Sequence, residues 1–554
     1  MPTSARSRWP ASLACLAAVL GALVSPAARA QPNSQLPDLR TVAEASDYRA
    51  TARHAEVVAL LDAIGAAHPN ARRASMGASH EGRDLPLLIV SDEPVATAAD
   101  ARRQADERGK VVVFAIGNIH AGEVCGKEAL PMLARELLAG EGASTNDILR
   151  HVIFVIAPIY NADGNERVSP DNRPGQNGPE LGMGVRENAQ GFDLNRDFIK
   201  LEAPETRALV RFLNAWDPHV FIDCHTTNGS LHRYTITYAG PKCLAGDEEV
   251  RAFSRDVMFP RIAGRYGAIC AEPTFWYGSF GENVFGNPTE PPPAAAARAD
   301  VQTWGTFPAE ARFGTTYVGL RGRLSILSEA YSYAPYKDRV LRTRDFVRAA
   351  LGWAAADREA IRAITREADE RARSREPATI AIRSRLVPCP GEVTVLGFEK
   401  TSPADRASPG APQDHRAILM DCFEPTATVT RPRAYVVPRD ERLAHVVEVL
   451  RLHGVRVDDA DADAERDGET YVVDSLASAS RLFQGHALVR VEATPRRERV
   501  AIRKGDFIVP MDQPLANLAA YLLEPSCEDG LTTWNFFDAF LKPGETFPVR
   551  RVME

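Results

Sequence analysis

The chain has 554 residues, of which 45% are hydrophobic and 25% are charged, a composition that is typical of globular proteins. Its length allows two or more domains with a sizeable core. The formal net charge of -7 at pH 7 argues against a general nucleic-acid-binding protein, because such proteins usually present a basic face. We therefore expect no nucleic-acid partner.

The first thirty residues have the pattern of a secretory signal peptide. Two arginines precede the apolar run ASLACLAAVLGALV, and the sequence Ala-Arg-Ala at 28–30 fits a cleavage site. The run is shorter than the roughly 20 apolar residues that a membrane-spanning helix needs, and no later segment qualifies. We predict that residues 1–30 are removed. The rest is then exported, to the periplasm or out of the cell, without membrane insertion.

Seven cysteines remain after this cleavage, too few for a disulfide framework in a chain of this length. None stands in a Cys-x-x-Cys pair, so a cysteine-ligated zinc site is disfavoured. An exported location nevertheless permits disulfides. Cys243 and Cys270 are the pair that we would test first.

Helix and strand patterns alternate through the first part of the chain. The stretch YRATARHAEVVALLDAIGAA has an apolar helix face, made by Val57, Leu60, Leu61 and Ile64. Five short apolar runs are typical of strands buried on both faces: LPLLIV, VVVFAI, HVIFVIAPI, HVFID and LSILSEA. Between them, KEALPMLARELLAG and PETRALVRFLNAW predict helices. The pattern predicts an α/β fold with a mixed, mostly parallel sheet between helices.

The later part of the chain departs from this alternation. The stretch GNPTEPPPAAAARAD predicts a long loop, and residues 336–375 predict one or two amphipathic helices. After Pro377, the runs RAYVVP, ETYVVD and ALVRVEA and the helical pattern LAHVVEVLRLHG predict a smaller α+β unit. We therefore predict one domain at 40–376, which holds all the candidate chemistry, and a C-terminal α+β domain of unknown role at 377–554.

Candidate metal ligands stand at the ends of two predicted strands. In GNIHAGEVCG, His120 and Glu123 follow the run VVVFAI, and His225 follows the run HVFID. A catalytic zinc takes three ligands from His, Asp or Glu and keeps a position open. The alternatives are two polar residues that share a turn and a histidine bonded to backbone at the edge of the core. Two strand ends that carry the same kind of residue favour the metal site.

Two further stretches supply polar groups with a chemical use. In RENAQGFDLNRDF, Asn195 and Arg196 suit a carboxylate, because a guanidinium presents a planar fork of donors. Asp193 could orient a ligating histidine by accepting its second ring N–H, although a solvated loop with a helix cap is the alternative. At the end of LSILSEA, Glu329 suits a general base, with a strand-end ion pair as its alternative.

Taken together, these motifs resemble the zinc carboxypeptidases of the carboxypeptidase A type. HAGE, NADG, GFDLNRDF, DPHVFIDCH and the strand-end Glu329 occur in that family's order, and GASHEGRDLPLLIV resembles its lead-in strand. The resemblance covers roughly Tyr48 to Arg344. It implies an eight-stranded mixed sheet and one catalytic Zn²⁺.

The resemblance also implies a role for each candidate residue. These roles are zinc ligands for His120, Glu123 and His225, general base and acid for Glu329, carboxylate binding for Asn195 and Arg196, and support of His120 for Asp193. For the arginine that stabilises the oxyanion we favour Arg186, whose spacing from Asn195 is that of the family's cytosolic branch. Arg167 and Arg173 remain alternatives.

Three features depart from the family's pattern. Ala121 and Gly122 stand where the digestive members carry an arginine, which removes one contact to extended peptides. Tyr317 is a candidate for the family's mobile tyrosine by position alone. The aromatic stretch TWNFFDAFL near the C-terminus has no counterpart in small members, and we interpret it as domain packing.

We predict a zinc-dependent metallopeptidase, a carboxypeptidase that acts on peptides with a free C-terminus. One alternative is an amidohydrolase of the aspartoacylase and succinylglutamate desuccinylase type, which would act on acylated amino acids. The other is a non-catalytic relative that only binds peptides. The lead-in motif and the long segment before Glu329 favour the peptidase, and the complete set of ligands with Glu329 argues against the binding protein.

Overall fold

A computed structural model of this chain describes residues 38–140, 145–281 and 301–554. The predicted signal peptide and the Pro- and Ala-rich loop at 286–300 lie outside the described residues. Residues Leu39–Glu554 belong to one compact unit. None of the helices in the described ranges combines the length and the apolar character that a bilayer crossing requires.

The described residues form twenty strands. In chain order they are β1 Ala71–Ala78, β2 Asp84–Val90, β3 Val111–Gly117, β4 Val152–Ala157, β5 Val220–Thr227, β6 Ile236–Ala239, β7 Phe275–Trp276, β8 Ser279–Phe280, β9 Gln302–Gly305, β10 Leu324–Tyr331, β11 Thr379–Val387, β12 Val393–Phe398, β13 Pro412–Met420, β14 Cys422–Thr430, β15 Ala434–Val437, β16 Asp458–Asp459, β17 Ala464–Ser478, β18 Val489–Ile502, β19 Phe507–Pro510 and β20 Arg550–Val552.

The α-helices lie mostly between the strands of the first part of the chain. They are α1 Val42–Ala45, α2 His54–Ala67, α3 Ala98–Arg108, α4 Cys125–Ala139, α5 Thr145–His151, α6 Ala162–Glu166, α7 Pro204–Trp216, α8 Glu248–Phe253, α9 Phe259–Cys270, α10 Gly314–Leu320, α11 Tyr336–Ala356, α12 Arg358–Ser374, α13 Ala444–Leu452 and α14 Ala516–Leu523. A π-type turn, Ser254–Met258, joins α8 to α9.

Eight strands form the central sheet, in the order β1-β2-β4-β3-β5-β10-β6-β7. The four inner strands β4, β3, β5 and β10 run parallel, whereas β1 and β2 pair antiparallel at one edge and β6 is antiparallel to β10. This confirms the predicted mixed, mostly parallel eight-stranded sheet. All five apolar runs became strands of it, at β2, β3, β4, β5 and β10.

The inner strands are buried on both faces, as their unbroken apolar runs require. In β3, Val112, Phe114 and Ile116 face one apolar cluster, while Val111 and Val113 face another on the opposite side. The helices α2, α4 and α11 contribute to the second cluster. Of the face predicted for α2, Val57, Leu61 and Ile64 are buried in this cluster and Leu60 is partly buried against it. The first cluster continues into apolar side chains beyond residue 377.

The part of the chain after residue 377 forms further sheets. A six-stranded sheet has the order β16-β19-β15-β20-β17-β18, and α13 lies among its connections as predicted. A four-stranded sheet joins β12 and β13 to β9 and β8, so strands from both sides of residue 377 share it. The α+β character is therefore as expected, while the domain boundary near Pro377 stays a prediction.

The disulfide in the described residues is Cys389–Cys422, and the expected pair was wrong. Cys243 and Cys270 are both free thiols. The physical reason is the antiparallel register of β11 and β14, which sets Val387 opposite Cys422 and so brings Cys389 beside it. That pairing depends on two strands meeting in space, which the cysteine spacing does not reveal.

Candidate active site

The site lies where three neighbouring parallel strands end. His225 in β5 stands directly opposite Glu329 in β10, and Gly117 at the end of β3 stands opposite Cys224. After Gly117 the chain turns and carries His120 and Glu123 over the same edge of the sheet. The carboxyl ends of parallel strands are the usual place for ligand-binding residues in open α/β sheets.

Two glycines let α4 approach this edge. A side-chain carbon at Gly126, in the first turn of α4, would lie 2.5 Å from Cβ of Cys224, and one at Gly117 would lie 2.8 Å from the backbone of Gly126. Real side-chain contacts are never that short, so only glycine fits at either position. Because α4 lies so close to β5, the turn with His120 and Glu123, which precedes α4, lies beside the end of β5.

Glu123 lies between the two histidines. Its Oε1 is 3.0 Å from Nδ1 of His120, and its Oε2 is 2.9 Å from Nδ1 of His225. The ligand atoms that these three residues offer lie within 4.8 Å of one another, and all three side chains are buried. The structure thus brings His120 and Glu123 together with His225, which lies 105 positions after His120 in the sequence.

A carboxylate stands behind each histidine. Oδ1 of Asp193 is 3.1 Å from Nε2 of His120, as predicted for a residue that orients this ring. Oδ2 of Asp223 is 2.9 Å from Nε2 of His225. Such partners fix the tautomer of a ligating histidine, so that the opposite nitrogen, here Nδ1, is free to bind a metal.

The electrostatics of the centre favour a bound cation. Burial alone would lower the pKa of His225, but the carboxylates of Asp223 and Glu123 more than offset it and raise that pKa well above its ordinary value. Burial, together with the charges of Glu123 and Asp223, raises the pKa of Glu329 to about 8, against the opposing effect of His225. A dication between the ligands would neutralise this excess of negative charge. Two imidazoles, one carboxylate and their outer partners therefore fit zinc.

Glu329 has one oxygen without a partner. Only 8% of the residue is exposed, and its buried Oε2 makes no hydrogen bond with any described residue. A buried acceptor without a donor costs free energy and requires an explanation, which a catalytic role would supply. Glu329 also lines the same cavity as the three candidate ligands. Its position suits a group that takes up and releases a proton.

Asn195 and Arg196 lie in a 3₁₀ turn, Leu194–Arg196, and also line this cavity, with Nδ2 of Asn195 3.5 Å from Nε2 of His225. The amide of Asn195 accepts a hydrogen bond from the backbone N–H of Gly314 at 2.8 Å. Arg196 donates one hydrogen bond to the backbone carbonyl of Asn195 at 2.7 Å, and its guanidinium stacks over the ring of Phe313 at 4.4 Å. These contacts fix a guanidinium at the cavity wall.

Two of the three candidate oxyanion arginines reach the centre. Arg186 binds Asp193 with Nε at 2.9 Å and places Nη1 3.3 Å from Nδ1 of His120. Arg173 places Nη1 3.0 Å from Oε1 of Glu123 and donates from Nη2 to the carbonyl of Thr226 at 3.1 Å. Arg167 does not line the cavity, and it donates instead to a backbone carbonyl.

The space beside Gly122 is filled by Arg173. A side-chain carbon at Gly122 would lie 2.3 Å from Cδ of Arg173, so the arginine stem occupies the room that a side chain there would take. The sequence shows only that position 122 carries no arginine. The structure adds that a guanidinium from a different segment reaches this side of the cavity.

The cavity has a volume of about 190 Å³ and an apolar side. Tyr277, Phe307, Phe313 and Leu327 form that side, and sequence reasoning missed all four. They come from several segments, and their spacing carries no signal that would single them out.

The candidate tyrosine at 317 was wrong. Tyr317 is fully buried outside the cavity, and its hydroxyl is 2.8 Å from Nδ1 of His453 and accepts from Arg321. The tyrosine that does line the cavity is Tyr277, whose hydroxyl lies 3.2 Å from Oγ1 of Thr227. Burial and the nearby charge of Glu329 raise the pKa of Tyr277 well above its ordinary value, so it stays protonated.

Two of the sequence motifs meet behind the site. Ser79 and Arg83 of the lead-in motif both donate to Oδ1 of Asp163 in NADG, at 2.6 Å and 2.7 Å. In the same stretch, Nδ2 of Asn161 lies 3.2 Å from the carbonyls of both Ile119 and Arg186 and donates to them. These motifs therefore hold the loops of the site together and do not line it.

A residue far along the chain also touches the site. Gln484, which lies between β17 and β18, accepts a hydrogen bond from the backbone N–H of Asp193 at 2.9 Å. The neighbouring His486 contacts Glu202 at 2.9 Å. The stretch TWNFFDAFL packs close by, with Trp534 and Phe537 fully buried, as its interpretation as domain packing predicts.

Residues 57–266 match the family model described as zinc carboxypeptidase. The chain is 22% identical over 490 residues to Carboxypeptidase 2 of Trichophyton rubrum, an alignment that covers 86% of this chain and 81% of that protein. It is 33% identical over 209 residues to Carboxypeptidase D of Homo sapiens, which is 36% of this chain and 14% of that protein.

Among solved structures, a metallo-carboxypeptidase from Burkholderia cenocepacia aligns with a TM-score of 0.38 at 18% identity, over 55% of this chain and 69% of that one.

Proposed function

We propose that this chain is a zinc carboxypeptidase whose cavity removes single residues from the C-termini of peptides, and the match of residues 57–266 to that family's model supports this. The observation that carries this proposal is the convergence of His120, Glu123 and His225 within 4.8 Å, with Glu329 in the same cavity. The family match ends before Glu329, so the assignment of this residue rests on the geometry of β5 and β10.

We propose that His120, Glu123 and His225 hold one Zn²⁺ ion. When bound, zinc supplies Lewis-acid polarisation of the scissile carbonyl and makes a water molecule more acidic. Asp193 and Asp223 hold the two imidazoles in the tautomer that leaves Nδ1 free for the metal.

Glu329 acts as the general base and then as the general acid. Its Oε2 has no competing hydrogen bond, so it can accept a proton from the attacking water and pass it to the leaving amine. Arg186 lies close to His120 and is the donor that we propose for the developing oxyanion. Loss of such a donor typically lowers the rate by about 10²–10³-fold.

Arg196, with Asn195 beside it, determines where the chain is cut. A guanidinium fixed at the cavity wall binds the terminal carboxylate of the substrate through paired hydrogen bonds. The scissile bond then lies one residue from the C-terminus, which makes the enzyme an exopeptidase.

We also propose that the enzyme is exported, to the periplasm or out of the cell. The support is the signal-peptide pattern at 1–30, with the Cys389–Cys422 disulfide, because disulfides persist in oxidising compartments. Sequencing of the mature N-terminus tests this proposal. A first residue other than Gln31 would contradict the cleavage site.

The decisive experiment is the hydrolysis of a peptide library, read by product mass. We expect single C-terminal residues to be released from free peptides, no release from the same peptides with an amidated C-terminus, and loss of activity with a zinc chelator. Metal analysis should find one zinc ion per chain. Faster hydrolysis of N-acyl amino acids than of peptides would instead support the amidohydrolase alternative.

A further inference from the structure

A hairpin from the C-terminal part of the chain lies against the candidate active site. Strands β17 and β18 are joined by the segment 479–488, whose tip is closed by two backbone hydrogen bonds between Phe483 and His486, at 2.8 Å and 3.0 Å. The two residues between them are Gln484 and Gly485. No residue of this segment lines the cavity, so any effect on the reaction must act through other residues.

Gln484 is an unusual residue for the turn that it occupies. Its φ is 50° and that of Gly485 is 84°, the positive values that a type I′ turn requires at both central positions. Asn, Asp and Gly are the usual residues there, because a positive φ strains most other side chains. A glutamine at this position therefore needs another explanation, and the contact of its side chain supplies one.

The side chain of Gln484 holds a residue on which the site converges. Its Oε1 accepts from the backbone N–H of Asp193 at 2.9 Å. Oδ1 of Asp193 is 3.1 Å from Nε2 of His120 and accepts from the backbone N–H of Asn195 at 2.9 Å. Its Oδ2 accepts from Nε of Arg186 at 2.9 Å. Asp193 thus links a candidate zinc ligand, the candidate oxyanion donor and the carboxylate-binding turn, and Gln484 fixes its backbone.

The same tip also supports the other neighbour of the carboxylate-binding guanidinium. The ring of Phe483 lies 5.3 Å from the guanidinium carbon of Arg312. The next residue, Phe313, lines the cavity, and the guanidinium of Arg196 lies over its ring at 4.4 Å. Arg196 is therefore placed between the turn that Gln484 holds and a ring whose neighbour contacts Phe483.

His486 anchors the tip to the segment that follows the carboxylate-binding turn. Its Nε2 is 2.9 Å from Oε1 of Glu202, and its Nδ1 is 3.1 Å from Oδ1 of Asn535. The other oxygen of Glu202 accepts from Lys200 at 2.7 Å, and Lys200 also donates to Asp197 at 2.6 Å. Hydrogen bonds between charged groups are the stronger ones, so the position of the tip relative to the turn is well defined.

We propose that the tip of this hairpin, residues 483–486, is a functional part of the active site and that Gln484 is a positioning residue. By fixing the backbone of Asp193, Gln484 keeps His120 oriented for zinc and Arg196 oriented for the terminal carboxylate of the substrate. This inference rests on the proposed function, and it gives the part of the chain after residue 377 a role in that function.

The first test is the zinc affinity of the full-length protein, measured without substrate by competition with a chelating dye. Gln484→Asn suits a type I′ turn better than glutamine does, but its oxygen is one carbon too short to reach Asp193. We expect zinc binding to weaken by about three- to tenfold, less than the 10–100-fold typical of a direct partner of a ligating histidine. Gln484→Met, which keeps the length and removes the acceptor, should show the same loss.

Two further variants are the controls for this measurement. Gln484→Glu keeps an acceptor oxygen at the same reach and should bind zinc at least as tightly as the parent. Leu482→Ala lies in the same segment at a side chain that is 72% exposed, and it should leave the zinc affinity unchanged.

The second test is a double-mutant cycle at saturating zinc, with peptides that have a free C-terminus. Gln484→Asn alone should lower kcat/KM at least threefold. In an Arg196→Met background its effect should be at least twofold smaller, because one of the residues that Gln484 positions is then absent. The same factor in both backgrounds would mean that Gln484 does not act through Arg196, and the proposal would fail.

Urea unfolding separates positioning from a purely structural role. Each variant should be fully folded under the conditions of both tests, and a structural role alone predicts that Gln484→Asn, which fits the turn, binds zinc as the parent does. Zinc affinity of Gln484→Asn within twofold of the parent, equal losses in Gln484→Met and Gln484→Glu, or the same loss in Leu482→Ala would overturn the proposal. If the parent binds zinc but cleaves no peptide, the proposed function fails, whereas the zinc measurements still decide whether Gln484 positions Asp193.

Discussion

Replacement of Glu329 by glutamine separates the contribution of this carboxylate to catalysis from its cost to stability. The change keeps the size and shape of the side chain and removes its charge. In the metal-free protein, burial and the charges of Glu123 and Asp223 raise the pKa of Glu329 to about 8, from an ordinary value of 4.5. His225 and Arg173 oppose that rise. The folded chain therefore binds this proton more tightly than the unfolded chain does.

The size of the stability effect follows from that pKa. At about 1.4 kcal/mol per unit, a rise from 4.5 to about 8 costs the metal-free protein at most about 5 kcal/mol once the carboxyl is ionised. Below pH 4.5 the carboxyl of Glu329 is mostly protonated in both the folded and the unfolded chain, and its cost to stability vanishes. It grows between pH 4.5 and about 8 and is constant above that range. Glu329→Gln removes the cost entirely.

The assay is urea unfolding of metal-stripped protein at pH 4.5 and pH 9. We expect Glu329→Gln to be more stable than its parent by a few kcal/mol at pH 9, and by less than about 0.5 kcal/mol at pH 4.5. Glu249→Gln, at an exposed glutamate, should follow the parent at both values. With zinc restored, peptide hydrolysis by Glu329→Gln should fall by about 10²–10⁴-fold, the range for loss of a general base.

Two results would refute this reasoning. A Glu329→Gln variant that gains no stability at pH 9 relative to pH 4.5 would mean that the carboxylate is not desolvated in the folded chain. Near-normal hydrolysis by the zinc-loaded variant would remove the assignment of Glu329 as the base.

Three further predictions concern other parts of the structure. Arg196→Met should lower kcat/KM for peptides with a free C-terminus by about 10–150-fold, because hydrogen bonds to a charged group contribute about 1.5–3 kcal/mol. The amount of bound zinc should not change. Gln484→Ala leaves the backbone N–H of Asp193 without its acceptor and should lower the free energy of unfolding by about 1–3 kcal/mol, measured in urea. Replacement of both Cys389 and Cys422 by serine opens a loop with a sequence separation of 33 residues, and should cost about 3–4 kcal/mol in the same assay.

The sequence predicted the central sheet because its inner strands are buried on both faces. Burial on both faces requires unbroken apolar runs, and all five runs became strands. The two candidate histidine ligands and the candidate base could be found because they stand at or just after the ends of such runs: His120 after β3, His225 at the end of β5 and Glu329 at the end of β10. The carboxyl ends of parallel strands lie at one edge of the sheet. Residues that follow such strands in the sequence can therefore be predicted to lie close together.

The features that the sequence did not predict depend on contacts between distant segments. Cys389 meets Cys422 through the register of two strands, and Gln484 meets Asp193 across 291 positions. Tyr317 lies outside the cavity, where its hydroxyl contacts His453 of a distant segment. In each case the neighbouring residues in the sequence give no signal of the contact. The contact depends on which distant segments pack together in the fold.

The pairing of β9 with β13 has a consequence for how this enzyme could change its preferred substrate. Phe307 and Phe313, on the apolar side of the cavity, come soon after β9, which ends at Gly305, and β9 pairs along its length with residues 417–420. This side of the cavity is thus connected through β9 to backbone more than a hundred positions downstream. If the proposed function is right, substitutions in β13 should shift this side of the cavity and change peptide selectivity while every lining residue stays the same.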